Sequence, residues 1–124
     1  MSLDTSARRL VQRVMRKIGT EAIIRRVTVR EFDEATSTVS TTETDTEVVG
    51  RLDDYTDRER LAAAGAIKTS DRKFTFAAAD IDVAPEPKDR VVIDDLVYTV
   101  VEPGGVTREM VQHEPGLYVL QLRR

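Results

Sequence analysis

The sequence predicts a mainly β protein: a small antiparallel β-barrel or sandwich of five to seven short strands with an N-terminal α-helix. Three observations lead there. β-Branched residues alternate with polar ones in several short runs, turn-forming residues separate those runs, and helical spacing dominates only the first twenty residues. With 124 residues the chain can bury one hydrophobic core but not two. It divides into a helical segment, 1–20, and a single β domain, 21–124, with an irregular loop at 53–71.

In the first segment Leu10, Val11, Val14, Met15 and Ile18 recur at helical spacing, with Thr5 or Ser6 as N-cap and Gly19 as the stop. Arg8, Arg9, Arg13, Arg16 and Lys17 fill the remaining positions, and the cations near its end suit the helix dipole. The expected arrangement is a surface helix laid on the domain, its cations available to a neighbouring subunit. Basic residues alone are a weak signal for nucleic acid, and the segment has no aromatic residue on which a base could stack.

From Glu21 the pattern changes to strand. Ile23, Val27 and Val29 alternate with Arg26, Thr28 and Arg30, and the polar turn at 33–37 leads into a Thr-rich strand at 38–42. The run 41–47 is polar enough for a loop or an exposed edge, and residues 47–52 form a further strand. Within 53–71, Thr56 is placed to cap a short helix running to Ala64 and stopped by Gly65; a mobile loop is the other possibility. Residues 72–77 read as a strand. Pro85 and Pro87 punctuate the next loop, and 91–93 and 96–101 form a hairpin about Asp94-Asp95. Residues 106–116 read as an exposed loop, and 117–122 as the closing strand.

Hydrophobic residues make up 40% of the chain and charged ones 33%, which rules out a wholly disordered chain of low hydrophobicity. No apolar run approaches the roughly 20 residues that span a bilayer, so no membrane partner is expected. The first residues lack the layout of a secretory signal, and the absence of cysteine removes disulfides and thiolate chemistry. An intracellular folding compartment is expected. Net charge is −3, but residues 1–30 carry eight Arg/Lys against two acids, while residues 31–60 carry three against ten. Such a split suits two differently solvated faces, or head-to-tail packing of identical subunits.

Candidate chemistry is sparse. His113 is the sole histidine, and no Ser or Cys motif accompanies it. Asp53-Asp54, Asp80-Ile81-Asp82 and Asp94-Asp95 are acidic pairs of the kind that serve in acid/base chemistry or bind Mg²⁺. In adjacent strand positions, however, two side chains point to opposite faces, away from any shared ion. Asp94-Asp95 is explained by its turn, where Asp tolerates unusual backbone angles. Gly104-Gly105 lacks the Lys and Ser/Thr of a phosphate loop. No catalytic residue, metal site, cofactor or small-molecule substrate is expected.

The second half resembles a known family. Asp71-Arg72-Lys73, the run Lys88-Asp89-Arg90-Val91-Val92-Ile93-Asp94-Asp95-Leu96-Val97-Tyr98-Thr99-Val100-Val101-Glu102, and the closing Tyr118-Val119-Leu120-Gln121-Leu122-Arg123-Arg124 are similar to the head-closure proteins of tailed bacteriophages, also called head-completion, stopper or head–tail connector proteins. That family's pattern has a Gly-Asp-Arg/Lys strand start, an Ile-Asp-Gly-Val-x-Tyr-x-Val hairpin and a final Tyr-x-Leu-Gln-Leu strand. This chain departs from it at Lys88 and at Asp95, where glycine is usual. The likeness covers residues 21–124.

The resemblance implies a neck protein, assembled in the host cytoplasm and placed in the virion between portal or adaptor and tail. Its partners would be other copies of itself in a ring (commonly of twelve), the portal or adaptor, a tail protein, and double-stranded DNA passing through the channel. In some relatives a loop projects into that channel. The matching region here is 53–71, with Tyr55, Asp57, Arg58, Glu59, Arg60 and Lys68 as channel-loop candidates. Arg8, Arg13 and Arg16 are expected to meet the acidic 31–60 region of a neighbour, or the adaptor. Two alternatives remain: a tail-completion or tail-terminator protein, and a small nucleic-acid-binding barrel. The latter needs exposed aromatic rings, whereas Phe74, Phe76, Tyr98 and Tyr118 have core-like surroundings.

Overall fold

In a computed structural model, residues 3–33, 35, 36, 38–102, 104–111 and 114–124 are described, with the backbone alone at 3–6, 8, 28–33, 38–41, 111 and 114. Helix α1 (Leu3–Ile18) is followed by β1 (Thr20–Asp33) and β2 (Thr38–Asp54). A short helix α2 (Asp57–Ala62), β3 (Arg72–Ala77) and a 3₁₀ turn (Ala78–Asp80) come next. Then follow β4 (Arg90–Ile93), β5 (Leu96–Val100), β6 (Val106–Val111) and β7 (Glu114–Arg123).

All strand pairings are antiparallel, in the order β3-β2-β1-β4-β5-β7, and β7 returns to β3. Six strands therefore close a barrel, and β6 adds to β7 as its hairpin partner. Closure leaves few free edges in the barrel wall. Period-two alternation fills the interior: Ala22 and Ile24, Val48, Phe74 and Phe76, Val91 and Ile93, Tyr98 and Val100, Tyr118, Leu120 and Leu122 are all buried. Phe76 lies between Phe74 and Tyr118, with ring centroids 5.8 and 5.7 Å away. The four aromatics expected in the core are there.

Several boundaries differ from the sequence expectation. Helix α1 starts at Leu3, so Thr5 and Ser6 lie in its first turn instead of capping it. Of the two forms expected for the polar run 41–47, it takes the exposed edge and not the loop. β2 is continuous for 17 residues, paired with β1 along most of its length and with β3 only from Gly50 to Asp54. β4 pairs only with Ile23–Arg25 of β1, so the β1–β2 hairpin continues past the barrel as a two-stranded ribbon. The loop expected at 106–116 is replaced by strand at 106–111 and 114–116, where β6 and β7 pair, and residues 112 and 113 lie outside the described residues. In both places polar residues obscure a strand that pairs with its neighbouring hairpin strand outside the barrel core. His113 lies outside the described residues.

Asp94 and Asp95 both have positive φ, 49° and 65°, as a two-residue hairpin turn requires. Gly50 meets a different demand. A Cβ there would lie 2.5 Å from both the Phe74 ring and the Thr75 carbonyl oxygen, so the aromatic core crosses β2 only over a bare Cα.

Candidate functional site

The apolar positions of α1 split into two faces. Met15 is buried against the barrel and Val11 is half-buried. Leu10, Val14 and Ile18, about a quarter turn round the helix, are 58%, 46% and 56% exposed. The expected single core-facing stripe is therefore two stripes, one of them bare. Asp80 anchors the covered side: it accepts from the Gln12 side-chain amide and from the Val49 N–H at 3.2 Å. Arg16 lies 3.9 Å from the same carboxylate, so this interface candidate is partly engaged within its own chain. Arg9, Arg13 and Lys17 are exposed, and neither Arg13 nor Lys17 forms an ion pair with a described residue. Of Arg8 only the backbone is described.

Beside the end of α1 opens a cleft of about 550 Å³. Strand register builds its floor: Glu47 stands opposite Ile23 and Ile23 opposite Val92, and Val97, opposite Val92, continues this outward row onto β5 just beyond the cleft. Glu21, Glu47, Asp94 and Asp95 rim the cleft, all exposed and none ion-paired with a described residue, and Arg16 is the one cation among its described lining residues. Among the described residues no group of three or more acidic or histidine side chains converges as a metal site.

The acidic 31–60 region is less available than its composition implies. Arg25 holds Asp45 at 2.9 Å and lies 3.8 Å from Glu43, Arg51 holds Asp53 at 3.1 Å, and Arg72 holds Asp54 at 2.8 Å. Glu47 is the exposed acid of β2 that stays without such a partner among the described residues. It joins Glu21 and the Asp94-Asp95 turn, which come from other parts of the chain.

Within 53–71 the chain forms the short capped helix α2. Thr56 and Glu59 form a reciprocal capping box at the start of α2, each accepting the other's backbone N–H at 3.1 Å. The helix ends at Ala62, two residues earlier than expected, and Ala64 and Gly65 both take positive φ, 50° and 90°. Lys73 Nζ lies 3.0 Å from Glu59 and 5.6 Å from the centre of the Tyr55 ring, joining two loop candidates. Burial, with nearby Glu59 and Asp71, pushes the Tyr55 hydroxyl up to about 12. Arg60 donates to the Thr69 carbonyl at 3.3 Å and lies 3.8 Å from Asp57. Arg58 and Lys68 are exposed, and Leu61 at the helix end is 81% exposed.

Sequence reading assigned no role to two buried aspartates that hold the loops. Asp71 is 0% exposed and receives Arg123 in a two-pronged contact, 2.8 and 2.9 Å. It also accepts from Gln121 at 2.8 Å and from the Lys68 N–H at 2.9 Å. Asp89 repeats the device with Arg26, at 3.1 and 2.9 Å, and with the Glu86 N–H at 2.9 Å. In each case the aspartate's own N–H donates back to the carbonyl three residues earlier, at 3.1 Å. The available signal was the twice-occurring Asp-Arg at a strand start, in 71–72 and 89–90.

These elements define a closed six-stranded antiparallel β-barrel with an N-terminal helix. No protein-family model and no curated protein matches the sequence. The solution structure of protein SF1141 from Shigella flexneri 2a, a Northeast structural genomics consortium target, has the same fold. It superposes with a TM-score of 0.60 over 86% of this chain and 92% of that one, at 10% identity.

Proposed function

We propose that the chain is a structural, non-catalytic protein of a tailed-phage virion neck. In this role it forms a ring between portal or adaptor and tail, closes the DNA-filled head and presents the surface on which the tail docks. The observation that carries the proposal concerns the two places where the chain departs from the head-closure pattern. Lys88 and Asp95, which stand where that pattern has glycine, have φ of 76° and 65°. Left-handed backbone favours glycine at just such positions, so the chain keeps the conformation the pattern calls for while changing the residue.

Further support is physical. The chain carries −3, so a ring of many copies is strongly acidic and repels the DNA backbone it encloses. The 53–71 segment, pinned at Asp71 and exposed at Leu61, Ala62 and 64–66, suits a short projection into a channel. A nucleic-acid-binding barrel is disfavoured because Phe74, Phe76, Tyr98 and Tyr118 are buried and offer no stacking platform.

The test is removal of the coding sequence from the phage genome, followed by electron microscopy of the lysate. Untailed heads that have lost their DNA are expected. Filled, closed heads beside free tails would assign the chain to tail completion instead, and normal virions would overturn both assignments. Shortening the loop between Arg58 and Ala66 is expected to leave the fold intact and release packaged DNA.

A further inference from the structure

We infer that the bare face of α1 docks into the acid-rimmed cleft of a second copy of this chain. This deepens the ring assignment and rests on it for its biological setting, but the contact itself is argued from the two surfaces.

The helix face is apolar along Leu10, Val14 and Ile18, which recur every fourth residue and extend about 12 Å along the axis. Arg13 and Lys17 run beside them, exposed and free of ion pairs with described residues. The receiving surface has the opposite rim on a similar floor. Ile23, Val92 and Val97 lie on three adjacent strands, about 10 Å from first to last, and Val97 is 49% exposed. Glu47 stands at the β2 end of that row, and Glu21 and the Asp94-Asp95 turn lie along one side of it.

The two surfaces match in length, in apolar centre and in sign of charge. Each would bury what is otherwise left in water: an apolar stripe on one side, and on the other the exposed Val97 with the partly exposed Ile23 and Val92. The cations and the carboxylates would form the rim, where they fix register and partner choice. Within one chain α1 packs on β2, β3, β6, β7 and the 3₁₀ turn, and its outer face points away from the barrel. Docking therefore uses two different patches, which is the head-to-tail arrangement that propagates into a ring or filament.

A charge exchange tests this. The helix variant carries Arg13→Glu and Lys17→Glu; the cleft variant carries Glu21→Lys and Glu47→Lys. All four positions are exposed, and circular dichroism verifies that each variant is folded. The full chain is expected to self-associate in sedimentation velocity at low salt and up to millimolar protein, and each double variant to associate about tenfold more weakly or worse. Mixing the two variants in equal amounts is expected to restore association, because the reversed helix then meets the reversed cleft. Val14→Asp, which removes the apolar centre, is expected to abolish it.

A full chain that stays monomeric throughout, no rescue on mixing, or undiminished association of Val14→Asp would each overturn the inference. The outcome is independent of the virion phenotype. Charge-exchange rescue together with normal virions on gene removal would retain this contact and reject the neck assignment.

Discussion

Asp71 and Arg123 form a two-pronged ion pair, 2.8 and 2.9 Å, between a fully buried carboxylate and the last strand of the barrel. The pair ties the loop that carries α2 to β7, and Gln121 reinforces it from the same strand by donating to both Asp71 and the Ala66 carbonyl.

Burial alone would push the Asp71 carboxyl up, but Arg123, the Lys68 N–H and Gln121 outweigh it and hold the value at about 2. A carboxylate whose folded value lies below its unfolded one stabilises the fold above the unfolded value, and that contribution fades as pH falls toward 2. Asp71→Asn is therefore expected to cost at least about 2 kcal/mol at neutral pH. The deficit relative to the parent chain should shrink between about pH 4 and pH 2. Urea unfolding of both chains at several pH values measures it, and a deficit that did not change with pH would rule out the charged pair as its source.

Lys88→Gly and Asp95→Gly should each stabilise the fold by about 0.5–1 kcal/mol, because glycine accepts the positive φ of 76° and 65° without steric cost. Loss of the Lys88–Glu102 contact at 3.3 Å subtracts little, since both side chains are more than half exposed. Chemical denaturation of the single and double variants checks the gain; destabilisation at both positions would contradict the proposed strain.

Gly50→Ala should destabilise by about 2–3 kcal/mol, a large effect for one methyl group, because the added Cβ meets the Phe74 ring and a backbone oxygen at 2.5 Å. The thermal midpoint reports this directly, and a neutral result would mean that Phe74 can move away.

Thr56→Ala removes one half of the capping box and should loosen α2 by about 1 kcal/mol. Hydrogen exchange is expected to quicken across 57–62 and stay unchanged in β3 and β7. Faster exchange throughout the barrel would show that the helix is coupled to the core.

Local chemistry in the sequence determined the fold class, the N-terminal helix, the hairpin about Asp94-Asp95 and the inward aromatic residues. Each depends on near-neighbour periodicity or turn preference, which a linear chain displays. At 41–47 the polar pattern leaves a loop and an exposed edge equally open, and strand β6 at 106–111 escaped detection. In both, outward polar residues match solvent, and each segment pairs only with its neighbouring hairpin strand, outside the barrel core. The charge split between 1–30 and 31–60 was visible, but its consequence was not. Only tertiary structure decided which acids are already paired with Arg25, Arg51 and Arg72 and which remain, with Glu21 and Asp94-Asp95, around a cleft. It also decided that half of the α1 stripe faces outward, because the area of barrel wall that a helix can cover is set by packing, not by the number of apolar residues it carries.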